Sequence, residues 1–104
     1  MLSTEIVFEA EARQTNSQVI SFRFEVSSTD FDEGRGHYRE LDCPFLRERP
    51  FRIFGVDGKQ AAELCFSFTA GLVEDRIEVF LDSDGREISL SEALRPDGPF
   101  CTRI

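Results

Sequence analysis

The chain has no tryptophan, one tyrosine, one histidine and one methionine in 104 residues. A single histidine removes most of the acid–base chemistry available near neutral pH. His37 has no second histidine and no closely spaced cysteine with which to ligate a metal or to activate a nucleophile. Cysteine is scarce too. Cys43, Cys65 and Cys101 are odd in number and widely spaced, which excludes a disulfide framework and a zinc-finger pattern. No apolar run approaches the roughly 18 residues needed to span a bilayer as a helix. Residues 1–5 carry neither a basic start nor a long apolar stretch, so a cytoplasmic protein without a secretory leader is expected.

Positive charge is the other shortage. Twelve Lys and Arg stand against twenty Asp and Glu, for a net charge of −8. That balance argues against direct nucleic-acid binding and against attraction to anionic membranes. It suits a partner with a basic surface. The charge is uneven: residues 35–59 hold six basic and four acidic side chains, and residues 74–87 hold six acidic and two basic ones. Asp30, Asp32 and Glu33 form a further acidic group. A plain solvated surface is the simplest account of any one such cluster.

What the chain does have is phenylalanine, eleven in all, within a 40% apolar composition. One domain over residues 1–104 with a Phe-rich core is expected. Ile6, Phe8, Ala10 and Ala12 alternate with Glu9, Glu11 and Arg13, and Ile20, Phe22, Phe24 and Val26 alternate with Ser21, Arg23 and Glu25. This period of two predicts two half-buried strands, joined as a hairpin through Gln14–Ser17. Glu9 or Glu11 opposite Arg23 is a favourable cross-strand pairing. Ser27–Gly36 reads as the longest polar connection. It lacks a calcium-loop spacing, as does the Asp82-Ser83-Asp84-Gly85 turn. Phe31 in that connection is either an exposed contact residue or a cover for the sheet edge. His37–Phe45 predicts a third strand that lies at an edge or finishes at Pro44, Phe51–Phe54 a fourth and Ile77–Leu81 a fifth. Arg86–Leu90 reads as a short return strand, Ser91–Leu94 as one helical turn capped by Ser91, and residues 96–104 as an irregular tail.

One long helix is expected over residues 57–73. Asp57 is suited to cap it, with Gln60 where a capping-box partner belongs. Ala61, Leu64, Cys65, Phe68 and Leu72 read as the buried stripe; Ala62, Phe66, Ala70 and Val73 form a second apolar strip beside it. An arc this wide exceeds what one sheet face covers. Either the C-terminal tail lies over Phe66, or a partner does. The fold class is therefore α+β in two layers: an antiparallel sheet of about five to six strands, with the first two as a hairpin, the third and fourth paired and the fifth after the helix, packed on one main helix.

Gly55-Val56-Asp57-x-x-Gln60-Ala61-x-x-Leu64, preceded by a short aromatic strand and by Cys43-Pro44, resembles a bacterial domain family of unknown function. Its members share a small sheet followed by a helix that opens Gly-Val-Asp-x-x-Gln-Ala. The resemblance covers about residues 38–81. It implies that fold and a bacterial or phage origin, and carries no activity. Phe66 and Phe68 stand where smaller aliphatic residues would serve.

The inventory does not favour an enzyme. Neither a histidine–thiol pair nor a carboxylate pair in an apolar pocket is written into the pattern. A small acidic binding protein is expected instead, of the inhibitor or immunity type, facing a basic or nucleic-acid-handling partner. No cofactor and no metal are expected. The residues singled out for partner contact are Asp30, Phe31, Asp32, Glu33, Phe66, Glu74, Asp75, Asp82 and Asp84. The alternative is a homodimer or accessory domain that buries the Phe66 strip against a second copy. A small-ligand pocket between sheet and helix is a third option, against which a packed core is the usual outcome.

Overall fold

In the computed structural model, which describes residues 2–104, the period-two stretches become two long strands. β1 (Thr4–Gln14) and β2 (Val19–Ser27) pair antiparallel, with Phe8 opposite Phe24 and Ala10 opposite Phe22. The turn between them is held by Asn16 Oδ1, which accepts from Gln18 N at 3.0 Å. Glu9 does meet Arg23, at 2.8 Å, and Glu25 joins the same guanidinium at 3.2 Å.

β3 (Asp30–Asp32) runs inside the stretch that reads as a loop, and pairs with β4 (Gly36–Asp42). β5 (Phe51–Gly55) pairs with the other side of β4. After α1 (Gly58–Val73), β6 (Ile77–Leu81) returns alongside β1, with β7 (Glu87–Ile88) next to β6. A short helix, α2 (Leu90–Ala93), leads to β8 (Cys101–Arg103), which pairs with the first half of β1. The architecture is α+β with an antiparallel sheet. It has eight strands rather than five or six, but they fill only six positions across the sheet. β2 and β3 share one flank of β4, and β6 and β8 share one flank of β1.

Two local expectations are corrected. Ser89, not Ser91, caps the short helix, because its hydroxyl oxygen reaches Glu92 N. The tail is irregular only to residue 100, and its Pro96 and Asp97 lie along α1 beside Glu63. Its end becomes β8, and Phe100 turns onto Phe8 and Phe80 at centroid distances of 5.8 and 6.2 Å. The backbone amides of the tail find partners on β1, which a loose cover would leave in water.

α1 begins as expected. Asp57 Oδ1 accepts from Gln60 N at 2.8 Å. Gln60 Oε1 accepts from Val56 N at 2.7 Å, one residue earlier than the usual reciprocal bond. Gly55 makes the strand-to-helix turn possible, since a Cβ there would stand 2.7 Å from Ala61 N. The buried face draws on both strips, Ala61 and Cys65 from the first and Ala62, Phe66 and Val73 from the second. Ala61, Ala62, Cys65, Phe66, Thr69 and Val73 are inside, whereas Leu64, Phe68 and Leu72 are about two-fifths exposed. Small residues let the helix approach the sheet closely, and Phe66 alone enters as a large knob. Thr69 tolerates burial because its hydroxyl donates to Cys65 O at 2.9 Å.

The core is an aromatic cluster. Phe8 stacks on Phe24 with centroids 4.9 Å apart and meets Phe22, Phe66 and Phe80 edge-on. Phe22 also meets Phe45 at 5.3 Å. These edge-to-face pairs add to simple area burial. One charge is drawn into the same layer. Arg39 is nine-tenths buried between β4 and the start of α1, and its guanidinium donates to Glu5, Ser27 O and Gly58 O.

Candidate partner-binding surface

Phe66 leaves the candidate set. It is 1% exposed and packs on Phe8 and Phe24. The sheet covers it on one side and residues 94–97 line the groove beside it, so no partner is needed to do so. Any helix-face contact belongs instead to Leu64, Phe68 and Leu72, which the periodicity placed inside.

The acidic candidates fall into two groups at opposite edges of the sheet. Asp30, Phe31, Asp32 and Glu33 lie on β3 and its turn, beside β4. Glu74, Asp75, Asp82 and Asp84 flank β6, on the far side of β1. The chain does not gather them into one site.

Several of these carboxylates are engaged within the chain. Asp30 accepts from Phe31 N at 2.8 Å and from the Tyr38 hydroxyl at 3.3 Å. Asp32 Oδ1 accepts from Gly34 N at 2.8 Å and from Arg35 N at 3.2 Å. Asp82 Oδ1 accepts from Asp84 N and Arg86 N at 2.9 and 2.8 Å. The Asp32 and Asp82 bonds are Asx-type turns, in which the side chain replaces a backbone acceptor, whereas Asp30 ties its neighbour's amide and the Tyr38 hydroxyl within the β3–β4 pair. These bonds account for Asp30, Asp32 and Asp82 without a partner.

Glu74 and Asp75 have no such account. Glu74 is the C-cap of α1, and no basic residue lies in the last turn. The carbonyl end of a helix carries partial negative charge, so carboxylates there are unfavourable. Both residues are exposed, as are Glu33 and Asp84. None of these four is ion-paired among the described residues. Between the two ends of β6, Glu78 and Glu87 share Arg13 at 3.3 and 2.8 Å. Arg13 holds the Glu87 carboxyl below the usual carboxylate range.

The opposite edge is basic and aromatic. Guanidinium groups lie over rings in three pairs: Arg35 on Phe54, Arg52 on Tyr38 and Arg47 on Phe51, at 5.0, 4.8 and 4.5 Å. Phe31 is 55% exposed, and its ring meets His37 at 4.9 Å. Phe31, His37, Phe54 and Val56 line one shallow groove there. Val56 was not singled out by sequence. Its place just before the cap residue, outside the helix stripe, is the one signal that marked it as unburied.

The nucleophile inventory is dispersed. Cys43 and Cys65 are buried, and burial pushes the Cys65 thiol up to about 12. Burial raises Cys43 and Cys101 as well. The Cys101 thiol donates to Arg95 O at 3.2 Å. His37 on β4 and Cys101 on β8 are separated by β2 and β1. No group of three or more His, Cys, Asp or Glu suited to a metal occurs among the described residues. No helix among them is long and apolar enough to cross a membrane.

No protein-family model, curated protein or solved structure matches the chain. The Gly55–Leu64 resemblance therefore brings no activity with it.

Proposed function

We propose that this chain is a non-enzymatic protein-binding domain of the inhibitor or immunity type. It presents the acidic flank of β6 to a basic surface on its target, such as a nucleic-acid-handling protein in bacterial or phage conflict. The observation that carries the reading is the placement of Glu74 and Asp75. They occupy the end of α1 where folding disfavours negative charge, and Arg76, next in the same turn, engages the Phe45 carbonyl and ring and pairs with neither of them. A local rule broken without intrachain compensation points to a role outside the fold. Asp84 extends the same surface to the other end of β6, about 17 Å of strand away. Charge arranged in this way speeds encounter with a basic partner and rejects acidic ones.

The test is capture from host extract with the wild-type chain and with Glu74→Lys/Asp75→Lys/Asp84→Lys. A basic protein retained by the first, lost by the second and released by salt supports the reading. Equal retention by both chains removes it. Asp30, Asp32 and Asp82 are left intact so that their bonds within the chain persist. Phe31 and Glu33, at the other edge, are substituted as a separate set.

A further inference from the structure

We propose that β5 and the outer face of α1 form a two-fold interface with a second copy of this chain. β5 is a five-residue edge strand, and β2 leaves a second open flank from Val19 to Phe24. β5 pairs only with β4, whereas the edge strands β3, β7 and β8 run two or three residues. Among the described residues, no backbone or side-chain group outside β4 bonds the main chain of Phe51–Phe54. An open edge of this length is a template for strand addition. Beside it stands the apolar row of Leu64, Phe68 and Leu72, each 37–41% exposed. The Phe68 ring meets Phe51 at 5.2 Å, which sets the middle of the row on the β5 side of α1, while Leu64 also borders the groove lined by Leu94 and Pro96. Edge and row are continuous.

The second copy fits this edge for reasons of symmetry. A two-fold axis normal to the sheet keeps both helices on one face, so only residues of like face can stand opposite. The register that pairs all five residues of β5 centres on Ile53. On the helix face it sets Ile53 against its own counterpart and Phe51 against Gly55 of the second copy. Gly55 offers no side chain to obstruct the Phe51 ring or the Arg47 guanidinium above it. On the outer face, Arg52, which Glu40 and Tyr38 hold within its own chain, stands across from Phe54 of the second copy. No like charges oppose each other within the strand pair. α1 packs over β4 and β5. With strands about 4.8 Å apart, the two helix axes come to about 10 Å, the spacing of packed helices. The acidic flanks of β6 then lie at the two outer ends of the dimer, clear of the interface.

Sedimentation equilibrium reads the mass, and the expected result is two chains rather than one of 11.9 kDa. Leu64→Glu/Leu72→Glu, at half-exposed positions, keeps its circular dichroism and weakens association by about 100-fold or more, because charge is placed in an apolar contact. In a Cys101→Ser background, Ile53→Cys cross-links to its counterpart under mild oxidation, since facing residues on paired strands lie within disulfide reach. Val19→Cys, exposed at the hairpin, does not. A single-chain mass up to about 1 mM overturns the proposal, whether the edge is then left free or taken by a peptide of another protein. A dimer that survives Leu64→Glu/Leu72→Glu, or that gives no Ile53→Cys cross-link, overturns it equally.

Discussion

Arg39 Nη1 stands 3.0 Å from Glu5 Oε1, while the same guanidinium donates to Ser27 O and Gly58 O. One nearly buried cation thus ties the start of β1, the end of β2 and the first turn of α1. The two partners are unequal. Arg39 has a side chain 9% exposed, and Glu5 one that is 36% exposed.

The Arg39→Ala chain should therefore lose about 3 to 5 kcal/mol, because two backbone carbonyls and a carboxylate lose their donor beside a new void. Glu5→Gln should cost less than about 1 kcal/mol, since the amide oxygen still accepts and the exposed ion pair contributes little. Urea unfolding of the two variants measures both. Equal losses would mean that the ion pair, not the backbone bonds, carries the contact.

Phe66 and Phe68 lie two residues apart on one helix and should behave very differently. Phe66→Ala empties the space against Phe8 and Phe24, at a cost of about 3 to 5 kcal/mol. Phe68→Ala at 37% exposure should cost about 1 kcal/mol or a little more in the isolated chain. Thermal or urea melts compare them at chain concentrations low enough to exclude association. A larger loss at Phe68 would reverse the helix orientation.

The entry to α1 depends on two residues of different kinds. Asp57→Ala should cost about 0.5 to 2 kcal/mol, by freeing Gln60 N from its acceptor. Gly55→Ala should be at least as costly. Its Cβ would press on the backbone of Ala61 rather than on a side chain that can move. Helicity at 222 nm and the urea midpoint report each change. A neutral Gly55→Ala would mean that the turn relaxes freely.

Titration should destabilise the fold at both extremes. The Thr4 hydroxyl, and then Arg23, hold the Glu25 carboxyl below its ordinary value of 4.5. A depressed folded value stabilises above pH 4.5 and is lost as pH falls through that lower value. The Cys65 thiol is raised from 9.0 to about 12 by burial. A raised folded value is neutral below pH 9 and destabilises between pH 9 and about 12, where only the unfolded chain ionises. Urea midpoints should be flat from pH 6 to 8 and fall outside that plateau. Cys65→Ser or Cys65→Ala should remove part of the alkaline fall, and an unchanged alkaline slope would assign it elsewhere. In the native state at pH 8, a thiol reagent should reach Cys101 first and Cys43 and Cys65 only on unfolding.

Local signals in the sequence were enough for the β1–β2 hairpin, the Glu9–Arg23 contact, the Asp57 cap and the Gly55 turn, whereas Pro44 left open an edge position that β4, paired on both flanks, does not have. Each of these signals depends on neighbours in the chain or on a period of two, which a single strand displays by itself. The acidic character of the β6 flank was equally legible, because charge counts need no coordinates. What Asp30, Asp32 and Asp82 do with that charge was not. Whether a carboxylate caps its own turn depends on backbone angles that the residue type permits but does not impose.

Sequence by itself determined the segments β1, β2, β4, β5, β6 and α1, and that Phe would dominate the core, but it read β3 as loop and β8 as tail. Only the tertiary structure decided which face of α1 turned inward. Apolar residues ring most of that helix, so periodicity offers two nearly equal stripes. The choice went to Ala61, Ala62, Cys65 and Phe66 because small side chains let the backbone settle close to the sheet, where one Phe fills the gap between Phe8 and Phe24. The same packing left Leu64, Phe68 and Leu72 in water beside an open strand. That juxtaposition arises from two segments docking, and no local pattern in either one contains it.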